Sequence, residues 1–253
     1  MKDDFINTVK SLIPKVDYCS FRFVNKYTNV ISATRGVVEP VTISEDDGLM
    51  VTVFNKGGYG YGATSNLTKK GISEAVNSAV EWAKFSEKKL TYFPDLKKMK
   101  SRVGNYYTNE DEHWSQVSTK DKTDYLISVN KALKSQPTIS NWGASIRFNK
   151  IETLFMDTND SNVRQKISYL LPQIVVSAEY KKEIQTRTFG GHAHARQLGY
   201  NFIDQIDMIN KGKTLAQEAV ELATGCKNYV KLYMNTPRQD KRGQKSNTDM
   251  RGI

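Results

Sequence analysis

The alternation of apolar and polar positions divides the chain into two runs of strands, each closed by an amphipathic helix. At the start, Asp3 or Asp4 can cap a short helix with Phe5, Val9, Leu12 and Ile13 on one face, ending near Pro14. The period then changes to two. DYCSFRFV (17–24), TNVISATRG (28–36), VVEPVTISE (37–45) and GLMVTVFN (48–55) read as strands. SEDDG (44–48) reads as a hairpin turn, because Asp and Gly tolerate positive φ. In GGYGYGATSN (57–66) glycines alternate with tyrosines, which suits a strand lying close to another backbone. A helix follows over about 68–85, with Ile72, Val76, Ala79, Val80 and Ala83 as its apolar stripe.

Residues 86–114 are polar and irregular and predict a surface connection. Ser118 with Asp121 marks an N-cap, and the helix from there to about 134 turns Leu126, Val129 and Leu133 inward. Strands are predicted again at 138–149, at 152–158, over 162–180 as two strands with Pro172 at the break, and at 182–191. A long helix over about 202–224 carries Ile203, Ile206, Ile209, Leu215, Ala219 and Leu222, with Gly212 as its weak point.

The two runs look like one unit used twice. SFRFVNK (20–26) recurs as SIRFNK (145–150). GYGYGAT (58–64) corresponds to TFGGHAH (188–194), and ISEAVNSAVEWA (72–83) to TLAQEAVELA (214–223). The fold expected is therefore α+β: two strands-then-helix units, an antiparallel-rich sheet with flanking helices. Residues 1–114 hold the first unit and its connection, 115–224 the second, and 225–253 a basic tail. Few core-forming residues follow Met234 in that tail, a composition that predicts disorder.

Charge narrows the function classes. The net charge is +10, but 225–253 alone hold seven Lys/Arg against two Asp. Elsewhere bases alternate with acids, as on a solvated face, so nucleic-acid binding is not the expectation. No apolar run approaches the roughly 18–20 residues of a membrane span, and the polar N-terminus does not resemble a secretory signal. A cytoplasmic protein is expected. Two cysteines, Cys19 and Cys226, make no disulfide framework.

The candidate chemistry is sparse. His192 and His194 are two of the three histidines and lie one residue apart. On a strand, such a pair would face one side about 6–7 Å apart, yet a catalytic zinc usually takes three protein ligands. No further ligand is visible nearby, so exposed histidines at a strand end are the expectation and no metal is assigned. His113 sits in EDEHW, where Glu110, Asp111 and Glu112 read as a solvated acidic loop. Gly58, Gly60 and Gly62 repeat with period two and do not lead directly into a helix, unlike a dinucleotide-binding turn. Tyr59 and Tyr61 share one face of that strand and are the candidates for flanking a bound peptide, with packing on the core or on a partner subunit as the plainer account. Cys19 reads as a small buried hydrophobe, and no base stands beside Cys226 to make it a nucleophile.

Taken in order, DYCSFRFVNKYTNVISATRG, the acidic SEDDG, and GLMVTVFNKGGYGYGATSNLTKKGISEAVNSAVEWAK resemble the N-terminal region of the TldD/PmbA family, the "modulator of DNA gyrase" proteins understood as zinc metallopeptidase components. The resemblance continues through the strands at 138–191 to AQEAVELAT. It implies an N-terminal α/β region joined to a β-rich C-terminal half, and assembly as a homodimer or a heterodimer with a family partner. It also implies a zinc site built on His-Glu-x-x-x-His with a further Cys, whose Glu can activate a zinc-bound water. The implied substrates are extended peptides, which strand addition would hold through backbone hydrogen bonds.

The sequence departs from that pattern after AQEAVELAT. It continues as GCKNYVKLYMNTPRQDKRGQKSNTDMRGI, and no His-Glu-x-x-x-His occurs. No catalytic residue and no cofactor can be assigned to this chain. The expectation is a metallopeptidase-type subunit truncated before its zinc-binding half, inactive alone, its tail a remnant read out of frame in preference to a natural short ending. The alternative is a non-enzymatic module that binds peptide, a family partner, or nucleic acid through the basic tail.

Overall fold

The computed structural model describes residues 3–109 and 113–225. In chain order these form α1 (Asp3–Ser11), β1 (Tyr18–Thr34), β2 (Val37–Val38), β3 (Thr42–Asn55), β4 (Gly58–Thr64), α2 (Lys69–Ser86) and β5 (Val103–Tyr107). Then come α3 (Thr119–Leu133), β6 (Ile139–Asp157), β7 (Asn162–Tyr180), β8 (Glu183–Gly190), α4 (Asn201–Ile206) and α5 (Met208–Ala223). The eight strands make one sheet in the order β4-β3-β1-β6-β7-β5, with β2 on β1 and β8 on β7. All pairs are antiparallel except β5 with β7.

The two halves repeat each other's topology. β1-β3-β4 closes with α2, and β6-β7-β8 closes with α5. β1 and β6 meet antiparallel at the centre, from Ser20 opposite Asp157 to Thr34 opposite Gly143. Two cores lie on the same side of this sheet. The first gathers Val9, Phe21, Phe23, Val51, Ile72 and Ala79 with Leu154 and Met156 of β6. The second gathers Ile146, Ile174, Leu126, Met208 and Ala219 with Ile31 and Ala33 of β1. Each core thus takes strand ends from both halves.

Several expected boundaries move. SEDDG is not a turn: it lies inside β3 and pairs with β1, Glu45 opposite Tyr27 and Asp46 opposite Lys26. Cross-strand contacts suit the acids there, and Asn25 Nδ2 donates to both Glu45 (2.9 Å) and Asp47 (2.8 Å). The reversals fall instead at Arg35-Gly36 and Lys56-Gly57, each with positive φ at both residues, as a two-residue hairpin of right-handed twist requires. Asn130 of α3 anchors the first of these turns, accepting from Gly36 N–H and donating to Ala33 O.

The strands expected at 17–24 and 28–36 are one strand, as are those at 138–149 and 152–158. Pro172 does not break β7. Leu170, two residues earlier, turns its N–H and C=O away from β6 to Arg196. The missing N–H of Pro172 faces the same way, into the gap between Arg196 and the end of β8 at Gly190, so no ladder bond is lost. The connection expected over 86–114 contains β5, which pairs with β7 from Val103 opposite Asn162. The helix expected over 202–224 breaks at Asp207, not at Gly212. Asp207 adopts a left-handed conformation and its carboxylate accepts from Asn210 N–H, capping α5. Gly212 instead lets α3 approach, with Leu133 against it. Ile13, placed on the apolar face of α1, is exposed.

β4 and α2 pack unusually closely. A Cβ on Gly58, Gly60 or Gly62 would fall 1.9, 2.1 or 2.1 Å from the carbonyl oxygens of Ala83, Ala79 and Ala75 respectively. Two strand residues advance about 6.8 Å and four helix residues about 6 Å, so a glycine every second position meets an alanine every fourth. The backbones touch where side chains would otherwise intervene. A Gly60→Ala substitution therefore forces helix and strand apart and should lower stability by about 3 kcal/mol. Urea unfolding monitored by circular dichroism reads this directly, with Gly104→Ala, which meets open space, as the neutral comparison.

Candidate functional site

β4 has one paired side, to β3, and one outer side. At Tyr59 the outer side is filled: the backbone N–H donates to Ser86 Oγ (2.8 Å), and that hydroxyl donates to Tyr59 O (2.6 Å). N–H and C=O groups alternate in direction along a strand. Those of Tyr61 and Ala63 therefore point the same way as Tyr59's. Among the described residues nothing pairs with them. The result is a sheet edge open over a short stretch, closed at one end by the last turn of α2.

Aromatic groups frame this edge. Tyr59 and Tyr61 project together from the face of β4 opposite the three glycines. They do not do the same work. Tyr59 packs against Phe54 with ring centroids 5.1 Å apart, in a cluster with Phe93 and Tyr18, whereas Tyr61 is 56% exposed. On the helix side stand Ser78 and Trp82 of α2, the latter 57% exposed and edge-on to Phe85 at 5.7 Å. Trp82 was not among the expected site residues. The signal was present, since the tryptophan of EWAKFS lies one helical turn beyond Ser78, at the margin of the apolar stripe and not within it.

The histidines are not arranged as a strand pair. Gly190 and Gly191, both at positive φ, end β8, and His192 and His194 lie in the 3-10 turn Gly191–His194. His192 is exposed, and the His194 ring packs on Phe189 with centroids 4.5 Å apart. Among the described residues no three His, Cys, Asp or Glu side chains converge on a common point. The described residues thus do not fit the zinc that the family resemblance implies. His113 begins a 3-10 turn, Trp114–Gln116, and Trp114 is buried. Glu110, Asp111, Glu112, Cys226 and the basic tail lie outside the described residues.

With the geometry in place, comparison with known proteins is decisive on family. Residues 19–83 match the model of PmbA/TldA metallopeptidase domain 1, and residues 112–226 that of the PmbA/TldA metallopeptidase central domain. The chain belongs to the PmbA/TldD family. A metalloprotease of Methanocaldococcus jannaschii is 22% identical over 169 residues, which are 64% of this chain and 36% of that protein. Among solved structures, a modulator of DNA gyrase from Thermotoga maritima aligns at a TM-score of 0.62 and 15% identity, over 86% of this chain and 47% of the other. TldE from Thermococcus kodakarensis aligns at 0.56 and 10%, over 88% and 47%. These likenesses establish a PmbA/TldD-type α+β fold. The chain spans about half the length of the solved structures it matches and about a third of the curated relative. No helix among the described residues is long and apolar enough to cross a membrane.

Cys19 is fully buried in β1, and burial pushes its thiol up to about 12. The neutral thiol is therefore the folded form at neutral pH, and stability it contributes is lost as pH rises from the ordinary thiol range towards about 12. At about pH 8, a thiol reagent should leave Cys19 unmodified in the folded chain and label it once urea is added. Mass-spectrometric peptide mapping distinguishes it from Cys226.

Proposed function

We propose that this chain is the peptide-holding part of a PmbA/TldD-type metallopeptidase, and that it captures extended peptides by strand addition at β4. The open edge at Tyr61 and Ala63 carries this reading. An added strand would exchange hydrogen bonds with those two residues, and backbone pairing of this kind is independent of sequence. Alternate side chains of the peptide would contact Tyr61 on one face of the sheet and Trp82 on the other. Ser86 would end the pairing at Tyr59, which limits the added strand to a few residues.

Peptide-bond hydrolysis belongs to this proposal through kinship with the Methanocaldococcus jannaschii metalloprotease. Among the described residues no three potential zinc ligands come together. Its role is then to bind and present, with the cutting done by groups outside the described residues or by a family partner in a homodimer or heterodimer. On its own the chain should not cleave peptide.

The test is fluorescence anisotropy of a labelled extended peptide added to the full chain. N-methylating alternate backbone amides should abolish binding in one parity and spare it in the other. Tyr61→Pro should weaken binding about tenfold while the fold survives, because proline is tolerated where the N–H faces outward from an edge strand. Equal effects of the two methylation parities would remove strand addition from consideration. Affinity that falls steeply with salt, and a preference for DNA over peptide, would favour the basic tail as a nucleic-acid grip instead.

A further inference from the structure

The helix-bearing face of the sheet is not apolar throughout. Over the first core, Leu49, Phe23 and Leu154 stand abreast on three adjacent strands. Over the second, Ile31 lies beside Ile146 and Ala33 beside Ala144. Between these cores two rows are polar. One runs Asp47, Asn25, Glu152 and Lys166, and the next Glu45, Tyr27, Lys150 and Ser168. A sheet face that served only to seat helices would carry apolar residues at these positions.

A pocket opens over the second row, lined by Tyr27, Trp114, Phe148, Lys150, Lys166 and Ser168. Its wall is rigidly built. The Trp114 indole lies parallel to Phe148, with centroids 5.3 Å apart and an interplanar angle of 1°. The buried Lys122 donates to Trp114 O (2.6 Å) and Val117 O (2.8 Å), and its Nζ lies 3.8 Å from the centroid of the Trp114 ring. These contacts fix the tryptophan before any ligand arrives.

The polar groups of the pocket favour an anion. Lys150 Nζ is 3.2 Å from a Glu152 carboxylate oxygen, and Glu152 pairs across the strands with Lys166. Lys166 lines the same pocket and has no ion-pair partner among the described residues, so its ammonium is the one left for a ligand's negative charge. Ser168 is 1% exposed and its N–H donates to Thr108 Oγ1, but among the described residues its own hydroxyl makes no hydrogen bond. That hydroxyl lines the pocket and can donate to a ligand there.

We propose that this pocket binds a small organic carboxylate with an apolar body. The carboxylate takes the Lys166 ammonium group and the Ser168 hydroxyl. The apolar body lies against Tyr27 and Trp114, an area that an inorganic anion could not use. The site is separate from the β4 edge and does not rest on peptide binding there.

The experiment titrates N-acetylphenylalanine into the full chain and follows the indole N–H resonances of the three tryptophans. The Trp114 signal should move, with a dissociation constant of about 1 mM or tighter, while Trp82 and Trp142 stay put. N-acetylphenylalaninamide and inorganic phosphate should each bind about tenfold more weakly. Lys166→Met should weaken binding about tenfold, and Lys120→Met, on the exposed side of α3, should not. The proposal is overturned if Trp114 does not respond, if amide or phosphate binds as well as the acid, or if Lys166→Met changes nothing.

Discussion

The antiparallel pairing of β1 with β6 is the constraint on which the rest of the molecule depends. Both strands are long enough to cross both cores. The start of β1, with Cys19, Phe21 and Phe23, lies beside the end of β6, with Leu154 and Met156. The end of β1, with Ile31 and Ala33, lies beside the start of β6, with Ala144 and Ile146. A slip of one residue would turn each of these side chains to the opposite face. A slip of two would bring polar residues such as Asn25 beneath a core. The register is therefore held from both ends, and the halves cannot part without opening two cores at once.

The same pairing explains which parts of the fold were legible in the sequence. Amphipathic helices were, because α2 and α3 display their buried faces at helical spacing and carry side-chain caps at Thr68 and Ser118. SFRFVNK and its recurrence SIRFNK fall in β1 and β6, the first strand of each half, but their central pairing shows only in the sheet register. Strand ends were less legible. β1 and β6 each pass through a polar middle, at Asn25 and Lys26 and at Asn149 and Lys150, and a polar interruption of an alternating pattern reads as a loop. SEDDG fails for a related reason. Its acids are stabilised by Asn25 on the neighbouring strand, a contact that no local rule of turn composition contains.

The candidate sites divide in the same way. Tyr59 and Tyr61 could be placed on a common face from alternation alone, but that Tyr59 is engaged with Phe54 while Tyr61 stands free depends on the whole hairpin. His192 and His194 were readable as neighbours but not as members of a turn, because two consecutive glycines at positive φ end the strand just before them. The polar rows at the waist were invisible. Their four members come from four different strands, and only the sheet register brings them abreast.

An open strand edge normally invites uncontrolled pairing between chains. β4 limits that hazard by being short and by ending against Ser86, which occupies both outward groups of Tyr59. Two remaining residues offer too few hydrogen bonds to hold another sheet by backbone contacts alone, since each is worth only about 1 kcal/mol net. Any strand that stays must gain the rest from side-chain contact, and Trp82 and Tyr61 are the large exposed surfaces in reach. Trp82 and Phe85 are exposed and stand outside the core beneath α2. Trp82 stands beside the unpaired stretch of β4, where an added strand would meet it before reaching the core.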